Sequence, residues 1–260
     1  MTLAPVIRRG RGARSRLGGV PTTLPPPDVA GSRAGQLPLL LDEPTNDRHV
    51  TEPLPGVVHV PGWLDLDAQR VLVGQFREWA RPPAGLRHPR MPTGSVMSVQ
   101  SVCLGWHWSP YTYTRTADDT DGAPVKPMPA DLVAMSRDAV AAAYGADSPD
   151  ALTYEPDAAL VNLYAPGAKL GLHQDAEELS DAPVVTISIG DACTFRLAAV
   201  DRRVGPFVDL QLRSGDLLVF GRANRRIFHG VPKVDDATVP EGTGLPPGRL
   251  SITVRQTGLA

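Results

Sequence analysis

Short apolar segments separated by turn residues fill the second half of the chain, and they constrain the fold more than any other feature. Residues 184–189 and 207–212 alternate apolar and polar side chains, as strands with one buried face do. Gly190-Asp191 and Ser214-Gly215 are tight-turn signals. This pattern predicts a double-stranded β-helix, the jelly roll. The predicted strands are 159–164, 171–175, 184–189, 192–198, 207–212, 216–220, 226–231 and 249–255.

Helices and short strands are predicted ahead of this region, so the fold class is mainly β with an α+β arrangement. Asp67 is the expected N-cap of a first helix that ends near Arg81. A second helix is expected over residues 129–144, and strands over 57–60 and 96–103. The apolar face of the first helix comprises Ala68, Val71, Leu72, Phe76 and Trp79.

Residues 1–50 form a tail rich in Arg and Pro, which we expect to be disordered. The alternative is a basic arm that adds non-specific affinity for phosphate. Residues 51–260 are expected to form one domain.

Composition limits the possible functions. The 260 residues carry a formal net charge of -2, so no global positive field requires nucleic acid. The only two cysteines, Cys103 and Cys193, are too few for a disulfide framework or zinc knuckle. No signal peptide and no apolar run of about 20 residues is evident. We therefore expect a cytoplasmic, monomeric protein that does not associate with membranes.

A candidate metal site begins at His173-Gln-Asp175, because residues two apart on a strand point to the same face. His229, 54 residues beyond Asp175, is the candidate third ligand. Two histidines and one carboxylate on one face of an iron leave positions open, as non-haem Fe(II) oxygenases require. The alternative for any single histidine is a hydrogen-bonded structural role.

Arg249 and Arg255 lie six residues apart on the last predicted strand, so their side chains share a face. Two guanidinium groups inside a barrel need anionic partners, and a dicarboxylate bound near iron would supply them. The alternative is a pair of surface arginines on an edge strand.

In these features the chain resembles the AlkB-type Fe(II)/2-oxoglutarate dioxygenases, which repair alkylated nucleic acids. The resemblance covers about residues 57–257 and leaves the tail outside. It implies a jelly-roll core over about 157–257 and a nucleotide-recognition lid over about 88–128. The segments that carry it are Met97-Ser-Val99, Leu104-Gly-Trp106, Tyr111, Tyr113, Asn162-Leu-Tyr164, 165–170, His173-Gln-Asp175, Phe228-His-Gly230, Arg249 and Arg255.

The resemblance also implies a role for each matching residue. His173, Asp175 and His229 would bind Fe(II), and 2-oxoglutarate and O2 would be co-substrates. The predicted 2-oxoglutarate contacts are Asn162, Tyr164, Arg249, Ser251 and Arg255, with Ser251 standing where bacterial members often have Asn. The predicted contacts to the base are Trp106, Tyr111, His173, Glu177 and Glu178.

The implied reaction is oxidative dealkylation of bases such as 1-methyladenine and 3-methylcytosine in DNA, with RNA as a second candidate polymer, single- or double-stranded. Arg81, Arg87, His88 and Arg90 form a basic cluster that is either a phosphate-binding surface or a solvated loop. Three other functions stay open. One is an AlkB-like hydroxylase of proteins or small molecules, and another is a jelly-roll binding module without catalysis. The third is a cupin-type isomerase, which would use the same fold but typically has more histidines at the metal.

Overall fold

The computed structural model describes residues 48–260, and all structural statements below concern that range. The predicted disorder of the tail therefore falls on residues outside the described part, apart from residues 48–50. The described chain begins at Arg48, whose side chain binds Asp216 across 168 positions of sequence.

Both predicted helices form, as α1 (Leu66–Trp79) and α2 (Ala130–Tyr144), and a short α3 (Pro149–Thr153) follows. The predicted N-cap of α1 was wrong. Asp65 caps the helix, because its carboxylate accepts a hydrogen bond from the Ala68 amide at 2.8 Å. Asp67 instead lies in the first turn.

The buried face of α1 also differs from the prediction at one position. Val71 is 59% exposed, whereas Val73 is buried beside Leu72. Phe76 and Trp79 complete the buried face as predicted.

Thirteen strands in the described range form three antiparallel sheets. All eight predicted strands of the second half form, and the largest shift in their bounds is three residues. In chain order the strands are β1 (Thr51–Leu54), β2 (Val57–Val60), β3 (Gln100–Leu104), β4 (His107–Ser109), β5 (Thr112–Thr114), β6 (Ala158–Tyr164), β7 (Leu170–His173), β8 (Val184–Gly190), β9 (Cys193–Leu197), β10 (Val208–Leu212), β11 (Leu217–Phe220), β12 (His229–Val234) and β13 (Arg249–Arg255).

The sheet topology is that of the predicted jelly roll. The large sheet has the order β1-β2-β11-β8-β13-β6-β3, and the second sheet the order β10-β9-β12-β7. Strands distant in sequence are thus neighbours, as Greek-key connections require. Strand β13 pairs along its whole length with β6 and along most of it with β8, so its arginines occupy the middle of the large sheet.

Two apolar clusters hold these layers together. One joins α1 and α2 to the large sheet and includes Leu72, Phe76 and Leu132. The other includes Phe195 of the second sheet and Phe220 of the large sheet, so it packs the two sheets against each other. The helices therefore cover one face of the large sheet, and polar groups of the site must lie on the other side. Within residues 48–260, no helix combines the length and apolarity needed to cross a membrane.

A buried carboxylate ties the start of the described chain to the large sheet. Asp216 is fully buried and accepts hydrogen bonds from Arg48 (3.0 Å) and from the amides of Gly62 (2.9 Å) and Arg213 (2.8 Å). His59 Nε2 lies 3.0 Å from the same carboxylate. Burial alone would raise the pKa of Asp216, but hydrogen bonds from His59 and Arg48 lower it to about 2.

We predict that Asp216→Asn lowers the free energy of unfolding by about 3 kcal/mol at neutral pH, because it breaks a buried, hydrogen-bonded charge cluster. The folded-state pKa is depressed, so this contribution is present above the ordinary value of 3.8 and is lost as the pH falls towards 2. Urea titrations at about pH 7 and about pH 3 measure the difference, which should shrink at the lower pH.

The matched control is Asp209→Asn, which removes an exposed carboxylate paired with Arg196 at 2.7 Å. It should change stability by less than about 1 kcal/mol. Equal losses in the two variants would contradict the structural role assigned to Asp216.

Candidate metal and co-substrate site

The three predicted metal ligands converge at one end of the second sheet. His173 ends β7 and His229 begins β12, and the two are direct partners in the antiparallel register. Asp175 follows two residues after His173, just outside the strand. Its Oδ1 lies 3.7 Å from His173 Nε2 and 3.9 Å from His229 Nε2. All three ligand atoms lie within 4.8 Å of one another, so a single ion can contact them all.

Backbone carbonyls fix both imidazoles in the form that binds metal. Nδ1 of His173 lies 3.0 Å from the Gly171 carbonyl, and Nδ1 of His229 lies 3.0 Å from the Ile227 carbonyl. A carbonyl only accepts, so each Nδ1 carries the hydrogen and donates it. Each Nε2 therefore keeps a lone pair free for the ion.

The charges of the triad suit a divalent cation. Burial would raise the pKa of Asp175, but the Arg255 guanidinium, with His229 and His173, holds it well below its ordinary value. Burial and the neighbouring His173 lower the pKa of His229 to about 4. At neutral pH the carboxylate is ionised and His229 is neutral, as metal binding requires. Asp175 Oδ2 is buried without a hydrogen-bond partner among residues 48–260, which fits a ligand oxygen.

The arginines of β13 occupy the interior, as predicted. Arg249 is fully buried; its Nη2 donates to Ser188 Oγ at 2.8 Å and Ser251 Oγ at 3.4 Å. Its Nε and Nη1 have no partner within the described range. A buried guanidinium in this state requires an anion, and a carboxylate matches it in charge and geometry.

A small cavity of about 30 Å³ is lined by both histidines of the triad, but not by Arg249 itself. Arg249 contacts two of its wall residues, the Ser251 hydroxyl and the ring of Tyr164, whose centroid is 5.1 Å from the guanidinium carbon. Burial raises the pKa of Tyr164 to about 12, so its hydroxyl is neutral. The polar residues that line the cavity are Asn162, Tyr164, His173, Thr186, His229, Ser251, Thr253 and Arg255.

Four polar residues of this region were not predicted from the sequence. Ser188 and Thr186 are the polar positions of the buried strand β8, and Ser188 pairs directly with Ser251 of β13. Thr253 follows Ser251 on the same strand, and Ser101 donates a hydrogen bond to Asn162. The alternation of hydroxyl and apolar residues in β8 was the signal that could have found two of them.

A larger cavity of about 560 Å³ opens over the triad. His173 and Asp175 line it, whereas His229 does not; the side chain of His173 is 34% exposed and that of His229 is 7% exposed. Trp108 and Tyr111, from the hairpin of β4 and β5, form an aromatic wall, and Glu177 also lines the cavity. Tyr111 has a φ of 71°, a strained conformation of the kind that clusters at binding sites.

Trp106, one of the predicted contacts to the base, does not line this cavity. Its side chain is buried, its indole nitrogen donates to Asp157 at 3.0 Å, and Arg115 covers its ring at 3.3 Å. The turn at Gly105, with a φ of 75° and no space for a Cβ beside the Asp157 carbonyl, directs the chain this way. Trp108, two residues later, occupies the cavity wall instead.

Glu178, another predicted contact to the base, also lies outside this cavity. Glu178 is buried and absent from the cavity lining; it accepts hydrogen bonds from Tyr113 (2.6 Å) and Arg225 (3.3 Å). Three arginines, Arg225, Arg226 and Arg255, lie within 4.0 Å of this carboxylate and make its burial tolerable, so it serves the interior network. Of the two predicted glutamates, only Glu177 faces the cavity.

One residue of the predicted basic surface lies in the interior of the protein. Arg87 is buried and binds Asp119 through Nε at 2.7 Å, with further bonds to the Ser101 and Trp108 carbonyls. It therefore supports the hairpin and is not available to phosphate. The cations that line the large cavity are Lys169 and Arg203, together with Arg255 in its interior.

Comparison with known proteins identifies relatives of this site. Residues 56–255 match the model of the 2OG-Fe(II) oxygenase superfamily. The chain is 35% identical to an alpha-ketoglutarate-dependent dioxygenase AlkB homolog of Caulobacter vibrioides, over 80% of this chain and 90% of that protein. It is 32% identical to the DNA N(6)-methyladenine demethylase ALKBH1D of Arabidopsis thaliana, over 77% of this chain and 49% of that protein.

The solved structure of OsALKBH1 superimposes with a TM-score of 0.71 at 32% identity, covering 80% of this chain and 99% of that one. This likeness agrees with the jelly-roll architecture. The chain spans about half the length of the Arabidopsis relatives that it matches.

We predict that His229→Ala lowers the affinity for Fe(II) by at least about 100-fold, because one of three ligands is lost. Anaerobic equilibrium dialysis measures this loss. His88→Ala is the matched control, since His88 is exposed and contacts the Met97 carbonyl far along the chain from the triad. Its affinity should equal that of the wild type; unchanged affinity in His229→Ala would refute the metal assignment.

Proposed function

The chain belongs to the AlkB-type branch of the 2OG-Fe(II) oxygenase superfamily, and from that premise we propose that it removes N-linked alkyl groups from nucleic-acid bases by oxidation. Membership of the family, together with the triad, confirms the predicted Fe(II), 2-oxoglutarate and O2. The observation that carries the proposed substrate is the aromatic-walled cavity that opens directly over His173.

When bound, Fe(II), 2-oxoglutarate and O2 supply hydroxylation of an N-alkyl carbon, after which a methyl group leaves as formaldehyde. The protein contributes binding and orientation. His173, Asp175 and His229 would hold the iron on one face. Arg249 would bind one carboxylate of 2-oxoglutarate through its Nε and Nη1 atoms, which have no partner among the described residues.

The remaining predicted co-substrate contacts lie where they can support this arrangement. Ser251 accepts from Arg249 and would orient its guanidinium, while Asn162 and Tyr164 line the small cavity beside the triad. Arg255 donates to Asp175 Oδ1 at 2.7 Å and would thereby keep that carboxylate ionised and fixed in position.

The large cavity has the features needed to hold a base taken out of its stack. Trp108 and Tyr111 offer aromatic faces on which a base can stack, and Met91 and Met97 add adaptable apolar surface. His173 would then bind iron through one edge while it contacts the base. Lys169 and Arg203 line the same cavity and would pair with phosphates on either side of the base.

Two kinds of lesion are candidates, and they differ in charge. The bases 1-methyladenine and 3-methylcytosine are cationic. Glu177 is the acidic residue outside the triad that lines the cavity, and its carboxylate would interact with their positive charge. N6-methyladenine, named for the Arabidopsis relative, is neutral. We favour the cationic lesions because Glu177 offsets their charge.

We predict that Glu177→Gln lowers kcat/KM for 1-methyladenine by about tenfold, because a partly desolvated charge interaction is lost. Activity on N6-methyladenine should change by less than about twofold. Parallel assays on two oligonucleotides that differ only in the modified base measure the ratio. Glu155→Gln changes an exposed acid outside the cavity lining and should affect neither substrate. Equal losses on both substrates would contradict charge selection.

A single assay tests the proposed function. The protein is incubated with Fe(II), 2-oxoglutarate, ascorbate and O2, together with single-stranded DNA or RNA that contains 1-methyladenine. Succinate, formaldehyde and the repaired base should appear in equal amounts, and His173→Ala should yield none of them. Succinate without repaired base would favour a hydroxylase of proteins or small molecules. Neither iron binding nor turnover would favour a non-catalytic binding module.

A further inference from the structure

The hairpin of β4 and β5 carries the aromatic wall of the large cavity, yet it belongs to neither main sheet. Among residues 48–260 its strands pair only with each other, with Trp108 directly opposite Tyr113. Its position therefore depends on the short link to β3 and on side-chain contacts to the core. Arg87, Cys103 and Asp119 contact strand β4, and Glu178 and Arg255 contact Tyr113 of strand β5.

Tyr113 connects this hairpin to a metal ligand through two hydrogen bonds in series. Its hydroxyl accepts from Arg255 Nη1 at 2.8 Å, and Arg255 Nη2 donates to Asp175 Oδ1 at 2.7 Å. The same hydroxyl donates to Glu178 Oε1 at 2.6 Å. Burial raises the pKa of Tyr113 well above its ordinary value, so the hydroxyl is neutral and can do both.

The tyrosine hydroxyl also bridges two opposite charges. Arg255 Nη1 and Glu178 Oε1 are 3.4 Å apart, longer than a charge-assisted hydrogen bond. If the hydroxyl withdraws, both groups lose a partner in a buried environment and gain by closing on each other. That closure would draw the guanidinium away from Asp175. Movement of the hairpin thus has a direct consequence for the metal carboxylate.

We propose that Tyr113 is a positioning residue that couples occupancy of the large cavity to the metal site. A base stacked against Trp108 and Tyr111 shifts or steadies the hairpin, Tyr113 moves with it, and Arg255 redistributes between Asp175 and Glu178. The environment of the metal therefore differs between the filled and the empty cavity. This inference rests on the proposed function, because it takes a base as the occupant.

The test compares Tyr113→Phe with the wild type through a signal that needs no turnover. Co(II) replaces Fe(II), 2-oxoglutarate is present, and the visible absorption of Co(II) is recorded before and after addition of an oligonucleotide containing 1-methyladenine. The wild type should show a spectral change on binding. Tyr113→Phe should bind the oligonucleotide, as measured by fluorescence anisotropy, with the change largely lost.

Turnover provides the second measurement. Methylated oligonucleotide should stimulate succinate release by the wild type, and Tyr113→Phe should reduce that stimulation by about tenfold, the effect of one hydrogen bond to a charged group. Tyr144→Phe is the matched control, since it removes a tyrosine hydroxyl bonded to the Gly56 carbonyl at 2.7 Å, outside both cavity linings. Its spectral response and stimulation should match the wild type.

A binding measurement protects the test against a simple loss of folding. Tyr113→Phe should bind Co(II), as measured by absorption titration before the oligonucleotide is added, because all three metal ligands are still present. An unchanged response in Tyr113→Phe, or a wild-type spectrum that ignores bound oligonucleotide, would overturn the coupling while leaving the proposed function intact. A wild type that cannot bind the methylated oligonucleotide would overturn the proposed function and the coupling with it.

Discussion

Burial of two guanidinium groups on one strand is the constraint on which the site depends. Strand β13 lies in the middle of the large sheet, so Arg249 and Arg255 cannot reach bulk water. Each needs anionic partners, and the chain meets that need in two ways. Arg255 has Asp175 and Glu178 within 3.4 Å, whereas Arg249 has only hydroxyl partners within the described range. The difference leaves one cation satisfied by the protein and one ready for the carboxylate of a co-substrate.

The regular part of this arrangement could be predicted from the sequence. A period of two places Arg249 and Arg255 on one face of β13 whatever the exact strand ends are. His173 and His229 are brought together because antiparallel pairing of β7 and β12 closes the gap between them. Both inferences tolerate errors of up to three residues in strand bounds, because the ends of β7 and β12 differ by that much from the predicted ones and the two histidines still pair.

The irregular part could not be predicted, because turns and loops have no period to propagate. Gly105 has a left-handed conformation, and the turn there directs Trp106 towards Asp157. Trp108 therefore lines the cavity in place of Trp106. Glu178 is captured by Arg225, which lies 47 positions away and carries no local signal. The sequence likewise predicts Arg87 as a surface cation, because no local pattern indicates that Asp119 lies beside it. Long-range ion pairs decide which charged residues remain free, and sequence spacing does not reveal them.

The charges around the site explain why its two adjacent glutamates differ. Three buried guanidinium groups lie near the site, from Arg225, Arg249 and Arg255. Arg225 pairs with Glu178 and Arg255 with Asp175, whereas Arg249 has only hydroxyl partners within residues 48–260. A divalent ion adds further positive charge, and a dicarboxylate co-substrate offsets that addition. The interior then keeps one excess positive charge, which would repel a cationic base in a medium of low dielectric. Glu177, half-buried in the cavity wall, supplies the compensating negative charge where the base would lie. Glu178 thus offsets positive charge in the interior, and Glu177 offsets the positive charge of a base bound in the cavity.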